Sequence, residues 1–281
     1  LLLTPPLYTL NMKKQHKTLF IITISLILLI GFRYYHLTKY KGIIVVFFNT
    51  KEGDAILIRN TDFCSILIDG GSDYAMLDSL YKYLPFNKRD FDHVFVSHPH
   101  HDHIHGLNLI SKRFEIQNLY YPFLPFQKES LDDLKDLSKN KFEVNQEIKD
   151  IKACELDFKV YKVPLEKDEK DLNLHSLVIE IYDNQEFIFF AAGDIYQEQE
   201  NYLMQNRNLK NVYLFKSNHH GSKTSNSKEF LEFLNPKVTV VTAGYANRFK
   251  HPHQKAIQNI AQHSRLVLRT DVEGEILIQP P

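Results

Sequence analysis

The chain of 281 residues has only two cysteines, Cys64 and Cys154, and its 34 basic residues are matched by 34 acidic ones. Two cysteines exclude a disulfide framework and a zinc site built from thiolates. Nothing in the sequence places these thiols together, so the simpler prediction is two unpaired thiols in apolar strands. One disulfide, in an oxidising compartment, is the alternative. The balance of basic and acidic residues excludes global electrostatic steering toward a polyanion or a membrane, so any such preference must come from a local patch.

The sequence also lacks internal repeats and low-complexity linkers. Hydrophobic residues make up 43% of the chain and charged residues 24%, which is typical of globular proteins and excludes a disordered or fibrous one. The length is enough to bury a substantial core in one large domain or two modest ones.

One long apolar run stands near the N-terminus. Residues 18–32 (TLFIITISLILLIGF) carry no charge and follow the basic segment MKKQHK. A basic flank before an apolar stretch is typical of a signal peptide or a signal anchor. We predict that residues 1–41 are such a segment in a bacterial cell-envelope protein. Because no small-x-small cleavage site follows, an uncleaved anchor is favoured over secretion after cleavage. The basic cluster Lys13, Lys14 and Lys17 is expected to stay inside, which would export the domain. Met12 is a candidate start, because the segment before it has no initiator methionine.

Beyond residue 41, short apolar runs rich in β-branched residues alternate with helical patterns. The runs IIVVFF, AILIR, CSILIDGG and DHVFVSH predict successive strands, and residues 175–194 predict a hairpin with its turn at Asp183-Asn184. The charged stretch 128–152 predicts a solvated amphipathic helix with its flanks. RLVLRTDVEGEILI predicts a C-terminal hairpin. This alternation indicates a layered α/β fold.

The segment SHPHHDHIHG, residues 97–106, contains five of the fourteen histidines and follows a predicted strand. Alternate residues of a loop can point the same way, so His98 and His100 can converge on one ion. Asp102 and His103 lie one turn further on and can bind a second. Imidazole and carboxylate ligands together favour zinc, manganese or iron over calcium.

Four ligands are too few for two ions, so other predicted strand ends must supply the remainder. Asp194 is the best candidate, because it directly follows the apolar strand FIFFAAG and its two oxygens can bridge two ions. The other candidates at such positions are His175, His219, His220 and His251.

The motif His98-x-His100-x-Asp102-His103, followed by Gly193-Asp194 and a later histidine, resembles the metallo-β-lactamase superfamily of dinuclear hydrolases. The motifs GDA, LIDGG, AAGD, NHHGSKTS and HPH are similar, in order, to the metallohydrolase domain of ComEC-type competence proteins. The likeness covers roughly residues 42–278. It implies a four-layer αββα sandwich in residues 42–281, preceded by an apolar helix. It also implies two divalent transition metal ions, with zinc ahead of manganese.

The resemblance also implies a role for each candidate residue. His98, His100 and His175 would hold the first metal, and Asp194 would bridge the two ions. Asp102, His103 and one of His219 or His220 would hold the second metal, and the sequence alone leaves that choice open. Asp69 would not bind a metal itself but would orient a ligand imidazole through a hydrogen bond.

The substrate side is expected around the HHGSKTS motif. Ser222, Lys223 and the backbone N–H groups after Gly221 are predicted to bind an anion, with His251 as a further substrate contact. A local basic surface around this loop is expected from Lys216, Arg248 and Lys250.

These expectations favour a phosphodiesterase or nuclease acting through hydroxide generated on the metals, with Asp102 or Asp194 accepting the proton. DNA is a candidate substrate, the membrane is contacted through the N-terminal segment, and no obligate protein partner is expected. The chain departs from the ComEC-type pattern with Glu52 where Gln is usual, and a single apolar segment stands where that family has a multi-helix channel domain. The alternatives are lactone, amide or β-lactam hydrolysis on the same metals, and a non-catalytic module that binds a polyanion.

Overall fold

The computed structural model describes residues 7–164 and 170–281, and the chain divides into two compact units, Leu1–Lys41 and Gly42–Pro281. The first unit contains helix α1 (Leu7–Thr38), while residues 1–6, before the candidate start, lie outside the described residues. The stretch Lys14–Tyr35, with a mean hydropathy of 1.9, is long and apolar enough to cross a membrane. A signal sequence has the same length and composition. The helical run is longer than the 15 apolar residues counted in the sequence.

Fourteen strands are found in the described part of the second unit. In chain order they are β1 (Ile44–Phe47), β2 (Ala55–Arg59), β3 (Ser65–Gly70), β4 (Asp90–Phe95), β5 (Glu115–Pro122), β6 (Ser138–Val144), β7 (Lys149–Ala153), β8 (Leu156–Lys162), β9 (Leu177–Asp183), β10 (Glu186–Ala191), β11 (Leu214–Lys216), β12 (Val238–Val241), β13 (Leu266–Arg269) and β14 (Ile276–Ile278).

The strands form two mixed sheets. The first has the order β14-β1-β2-β3-β4-β5-β6 and the second β13-β12-β11-β10-β9-β8-β7. Strands β3 to β6 are parallel, and so are β10 to β13, whereas the remaining neighbours are antiparallel. Each sheet therefore has a parallel half whose carboxyl ends are available to carry a site.

Helices lie along the outer faces of the sheets. They are α2 (Ala75–Leu80), α3 (His101–Ile110), α4 (Glu129–Asp136), α5 (Gln197–Asn206), α6 (Lys228–Leu234), α7 (Gln254–His263) and the single turn α8 (Thr270–Glu273). Two 3-10 turns, Leu172–His175 and Asn218–Gly221, complete the elements. Helix α3 packs closely on β3 because Gly106 has no side chain: a Cβ there would lie 1.8 Å from the carbonyl oxygen of Gly70.

The main core lies between the two sheets, where Phe47 contacts Phe189 and Phe95 contacts Phe158. Successive residues of a strand face opposite sides of a sheet, so Phe190 points outward and packs beneath α5 and α6 with Phe215 and Phe230. Two sheets with helices on their outer faces confirm the predicted four-layer sandwich, preceded by one apolar helix.

The C-terminal hairpin predicted for residues 265–278 is wrong. Strand β13 pairs in parallel with β12 in the second sheet, whereas β14 pairs antiparallel with β1 in the first. The polar segment between them forms α8, and Gly274 ends it with a φ of 79°. The chain thus crosses from one sheet to the other instead of turning back on itself.

The long amphipathic helix predicted for residues 128–152 is also largely wrong. Only Glu129–Asp136 is helical, and β6 and β7 follow. Both are edge strands, where one face and one backbone edge meet water, and lysines are common on such edges. Charge density alone does not distinguish a solvated helix from an edge strand.

Cys64 and Cys154 form a disulfide, so the prediction of two unpaired thiols is wrong. Cys64 precedes β3 in the first sheet, and Cys154 lies in the turn between β7 and β8 of the second. The Cα atoms are 5.4 Å apart although the residues are 90 positions apart in the chain. The bond joins the two sheets, and the sandwich topology that brings the cysteines together is invisible in local sequence.

Candidate metal centre

The candidate site forms where strands of both sheets end. In the first sheet, β4 leads into Ser97 and the start of α3; in the second, β10 leads into Asp194 and β11 into the 3-10 turn at residues 218–221. The backbone N–H of Leu177 in β9 donates to the carbonyl oxygen of Ser97 at 2.8 Å, which joins the two sheets beside the site. The side chains brought together there are His98, His100, Asp102, His103, Asp194, His219 and His220.

Four of these side chains surround one point. The Nε2 atoms of His103 and His220 are 3.2 Å apart, and they lie 3.5 Å and 3.2 Å from Oδ2 of Asp194. Oδ2 of Asp102 lies 3.9 Å from Nε2 of His103 and 3.7 Å from Nε2 of His220. These are the residues that the resemblance assigned to the second metal, with His220 as the imidazole of the HH pair.

The outer nitrogens of both imidazoles face acceptors. Nδ1 of His103 is 2.8 Å from Oδ2 of Asp69, and Nδ1 of His220 is 3.2 Å from both Oδ1 of Asp54 and the carbonyl oxygen of Thr242. When the rings are neutral, each Nδ1 therefore carries the proton, and the two Nε2 lone pairs face each other. That arrangement fits a cation between them.

The site carries surplus negative charge. Burial opposes protonation, but Asp194 and the other carboxylates raise the pKa of His220 to about 9 and hold that of His103 well above its usual value. Burial would raise the pKa of Asp194, yet the imidazoles around it hold it well below normal. Oδ1 of Asp194 is buried and accepts no hydrogen bond within the described chain. The ammonium of Lys216 is 3.8 Å from this oxygen, beyond hydrogen-bond distance, so the oxygen can still bind a divalent cation.

A second group of donors adjoins the first. Nε2 of His98 is 2.9 Å from Nδ1 of His100 and 3.9 Å from Oδ2 of Asp194. Burial and the neighbouring His103 lower the pKa of His98 well below normal, so this ring is neutral and offers its lone pair. Oδ2 of Asp194 thus lies within 4 Å of imidazoles from both donor groups.

Asp69 and Ser97 hold the rings of His98 and His103 through their Nδ1 atoms, on the side away from Asp194. Asp69 is fully buried and accepts hydrogen bonds from Ser97 N at 2.7 Å and Ser97 Oγ at 2.5 Å, besides His103 Nδ1. Since the Ser97 hydroxyl donates to Asp69, its oxygen accepts from Nδ1 of His98 at 3.1 Å. One carboxylate thereby orients ligands of both groups, and Ser97 is a positioning residue that the sequence analysis did not select.

Asp54 and Lys216 form a buried ion pair behind His220. An oxygen of Asp54 lies within 4.8 Å of the donor atoms of His103, Asp194 and His220, which would allow it to bind a metal. Its oxygens are already engaged, however, because Oδ1 accepts from Thr242 Oγ1 at 2.5 Å and from His220, while Oδ2 pairs with Lys216. We therefore assign Asp54 to orienting His220. The Gly53-Asp54 motif was visible in the sequence, but its role was not.

Lys216 was expected on a basic surface, and this prediction is wrong. Its side chain is 1% exposed, and its ammonium group contacts Asp54 and donates to the carbonyl oxygen of Gly193 at 3.2 Å. Lys216 ends β11, whose neighbours β10 and β12 bury it on both sides. Its charge offsets part of the carboxylate surplus rather than attracting substrate.

His219 and His220 differ in exposure. Both have left-handed backbone angles, with φ of 49° and 52°, which turn the two rings apart. His220 is almost fully buried, whereas the side chain of His219 is 18% exposed, lines a cavity and lies 3.7 Å from Oδ2 of Asp194 through Nε2. Of the pair, His220 is the ring that joins His103 and Asp194 in the buried donor group, and His219 lies at the cavity wall.

Glu200 of α5 supports the histidine-bearing loop from behind. This buried carboxylate accepts hydrogen bonds from Asn218 Nδ2 at 2.8 Å, Asn226 N at 2.6 Å and Ser227 N at 3.0 Å. It thereby fixes both ends of the HHGSKTS segment. Nothing in the local sequence of α5 indicated this contact.

The predicted anion-binding loop differs from expectation. The backbone N–H groups of Ser222, Lys223, Thr224 and Ser225 all donate to acceptors within the chain. The Ser222 hydroxyl is buried and bonded to Thr224, and Lys223 is exposed. The N–H groups are therefore not available to an anion, because the turn itself satisfies three of them and the ring of His253 accepts from that of Lys223.

A cavity of about 340 Å³ opens beside the donor groups. Arg248, Phe249 and His251 line it together with the candidate ligands. The ring of His251 lies 5.4 Å from that of His219, and burial together with the neighbouring histidines lowers its pKa to about 3. His251 is therefore a neutral hydrogen-bonding group at the cavity, and Arg248 is a cation there.

His175 lies in different surroundings from the other candidates. Its Nδ1 accepts from the ammonium of Lys162 at 2.9 Å, and its ring packs edge-on against Phe126. The cavity is instead lined by Asn173, two residues earlier in the same 3-10 turn.

The sequence profile described as the Metallo-beta-lactamase superfamily matches residues 50–244. The chain belongs to this superfamily. The chain has the fold of the metal-dependent hydrolases in this superfamily. Its buried group of histidines and aspartates lies at the strand ends of that fold.

Among curated proteins, the chain is 30% identical over 192 residues to ComE operon protein 3 of Bacillus subtilis, a match that covers 67% of this chain and 24% of that protein. The chain thus spans about a quarter of the length of that relative. Two solved structures share the fold. YhfI of Bacillus subtilis matches with a TM-score of 0.57 at 15% identity over 84% of this chain and 99% of that one. Igni18 of Ignicoccus hospitalis matches with a TM-score of 0.52 at 17% identity over 84% and 99%.

Proposed function

We propose that the chain is a dinuclear metal-dependent phosphodiesterase. One observation carries the proposal: two adjoining donor groups that share Asp194 open onto a cavity with a cationic wall residue, Arg248. Two divalent ions held there would lower the pKa of a shared water to about 7 and neutralise charge on a phosphoryl oxygen. Zinc suits the imidazole donors and manganese the carboxylates, so both are tested.

The residues of the chain would act around such ions in distinct ways. His98 and His100 would hold the first ion and Asp102, His103 and His220 the second, with Asp194 shared. Asp102 lines the cavity, and it or Asp194 would accept the proton of the attacking water.

The residues that would bind the substrate line the wall of the cavity. Arg248 supplies a planar cation that suits a phosphate, although Glu52 pairs with it at 3.2 Å and must be displaced or share it. The neutral ring of His251 can donate one hydrogen bond to a substrate oxygen. Ser222 and Lys223 have at most a peripheral role in substrate binding, since their backbone N–H groups already donate to His219 and His253. The similarity to competence proteins makes DNA the first polymer to test.

We also propose that the protein is exported, with α1 as its anchor or signal. The disulfide between Cys64 and Cys154 supports this, because such bonds persist in oxidising compartments and are rare in the cytosol. The apolar stretch of α1 is compatible with it.

The test uses the full chain purified in detergent, with metal content measured by elemental analysis and hydrolysis of bis-p-nitrophenyl phosphate followed with zinc and with manganese. An Asp194→Ala variant should lose metal and at least 100-fold in rate, while Asp133→Ala, an exposed aspartate on α4, should match the wild type. A protein that binds metal but hydrolyses lactones or β-lactams faster than phosphodiesters would make those substrates the function. Retention of polyanion binding without metal and without hydrolysis would support a binding module instead.

A further inference from the structure

The first metal lacks one protein donor. His98, His100 and Asp194 supply three, and the resemblance suggested His175 as the fourth. The 3-10 turn Leu172–His175 has three residues per turn, so positions two apart point about 240° apart. Because His175 points at Lys162, Asn173 points elsewhere, and it lines the cavity with His100 and Asp194.

The orientation of the Asn173 amide is fixed by a chain of hydrogen bonds. Tyr196 Oη donates its only proton to Oδ2 of Asp171 at 2.9 Å, so its oxygen accepts from Nδ2 of Asn173 at 2.8 Å. Oδ1 of Asp171 accepts from the backbone N–H of the same asparagine at 3.0 Å. Asp171 thus holds Asn173 by its backbone and, through Tyr196, by its side chain.

This arrangement leaves the amide oxygen as the unsatisfied end. Asn173 is 7% exposed, and its Oδ1 has no hydrogen-bond partner in the described segments 7–164 and 170–281. A buried amide oxygen without a donor is unfavourable unless a cation or another donor faces it. His100 and Asp194 line the same cavity as Asn173.

We propose that Oδ1 of Asn173, and not the imidazole of His175, completes the first metal site with His98, His100 and Asp194. The inference rests on the dinuclear site proposed above. An amide oxygen in place of a third imidazole makes the donor set harder, because oxygen ligands suit manganese and imidazoles suit zinc. The first site therefore favours manganese more than a site with three histidines would.

The experiment measures manganese binding to the metal-stripped full chain in detergent, by calorimetry and by electron paramagnetic resonance. The wild type should bind two ions. Asn173→Ala should weaken one of them at least ~10-fold and leave the other, and Asn173→Asp, which keeps an oxygen donor, should restore binding. His175→Gln is the matched control, since glutamine can still accept from Lys162, and it should bind both ions as the wild type does. The reverse result, loss in His175→Gln and none in Asn173→Ala, overturns the proposal.

A Tyr196→Phe variant covers the case in which Asn173→Ala does not fold. It removes the partner of Nδ2 and should weaken the same ion severalfold without changing the thermal unfolding midpoint by more than a few degrees. Unchanged affinity in a folded Tyr196→Phe protein would count against an oriented amide oxygen.

The outcome separates this inference from the proposed function. Two bound ions, the Asn173 effect and no hydrolysis of any phosphodiester would overturn the substrate while supporting the ligand. Fewer than two ions in the wild type would overturn both.

Discussion

His103 and His220 approach each other through their Nε2 atoms at 3.2 Å, although 117 positions separate them in the chain. One belongs to the helix that follows β4, and the other to the turn that follows β11. Each ring is held at its opposite nitrogen by a buried carboxylate, Asp69 for the first and Asp54 for the second. Two rings held in this way bring their lone pairs together, and only a shared cation or proton makes that favourable.

Replacing His220 should abolish the second metal. His220→Ala removes a buried donor, and we expect metal content to fall by about one ion per chain and the hydrolysis rate at least 100-fold. His219→Ala is the matched control on the adjacent residue and should keep both metals. Elemental analysis of both variants checks this, and equal loss in the two would mean that the choice between the rings is incorrect.

Ser97→Ala should weaken metal binding without removing a ligand. The hydroxyl bridges Asp69 and His98, and loss of such outer partners typically costs about 10–100-fold in affinity. Competition with a chromophoric chelator measures the change. Ser111→Ala, at the end of α3 and away from the imidazoles, provides the control. An effect of the same size there would point to general destabilisation.

Lys216→Met should destabilise the fold. The substitution keeps the volume of the side chain but removes the ammonium partner of the buried Asp54 carboxylate. Breaking one partner of a buried pair costs about 3–5 kcal/mol. Chemical denaturation of the metal-free protein measures the free energy of unfolding, and adding Asp54→Asn should recover part of the loss. A single variant as stable as the wild type would show that the pair contributes little.

Removing the disulfide should reduce stability but leave the site intact. Cross-linking residues 90 positions apart stabilises by about 4.6 kcal/mol in the chain-entropy view, and typical measured values are about 2–4 kcal/mol. We expect the Cys64→Ser, Cys154→Ser protein to lose about that much free energy of unfolding while binding metal normally. Denaturation with and without reductant checks this, since reductant should affect only the wild type.

Metal affinity should rise with pH between 7 and 9. In the metal-free protein the carboxylates raise the pKa of His220 to about 9, so this ring is protonated at neutral pH and a metal must displace its proton. Below pH 9 the apparent affinity should fall about tenfold per pH unit for each proton displaced. Calorimetry in buffers of different ionisation enthalpy counts the protons released. A pH-independent affinity over this range would contradict the assignment of His220.

Local patterns in the sequence predicted the parts of the site that are consecutive in the chain. The spacing of His98, His100, Asp102 and His103 follows from a strand that ends in a helix, and Asp194 stands at the exit of an apolar strand. Asn173 and Ser97 could not be selected as site residues, because their roles depend on hydrogen bonds to Tyr196 and Asp69, respectively. Those contacts join residues 23 and 28 positions apart in the chain, so no local pattern reports them.

The same reason explains the elements that were misassigned. The runs on either side of α8 look like a hairpin locally, yet β13 and β14 enter different sheets. The charges of residues 138–152 look like those of a helix, yet they lie on two edge strands. The partner of Cys64 is set by the packing of β3 against the β7–β8 turn, and no periodicity in the chain reports it.

The donors of the centre come from two parts of the chain next to different sheets: the histidine segment follows β4 of the first sheet, and Asp194 and His220 follow β10 and β11 of the second. In the proposed assignment, neither part supplies all the donors of either ion. Metal titration would therefore measure the fraction of correctly folded molecules. Molecules with one sheet misfolded would bind no metal, rather than bind it with lower affinity. A truncated or proteolysed product that lacks either part would have no hydrolytic activity. Partial activity in a sample would then indicate a mixture of complete and incomplete chains.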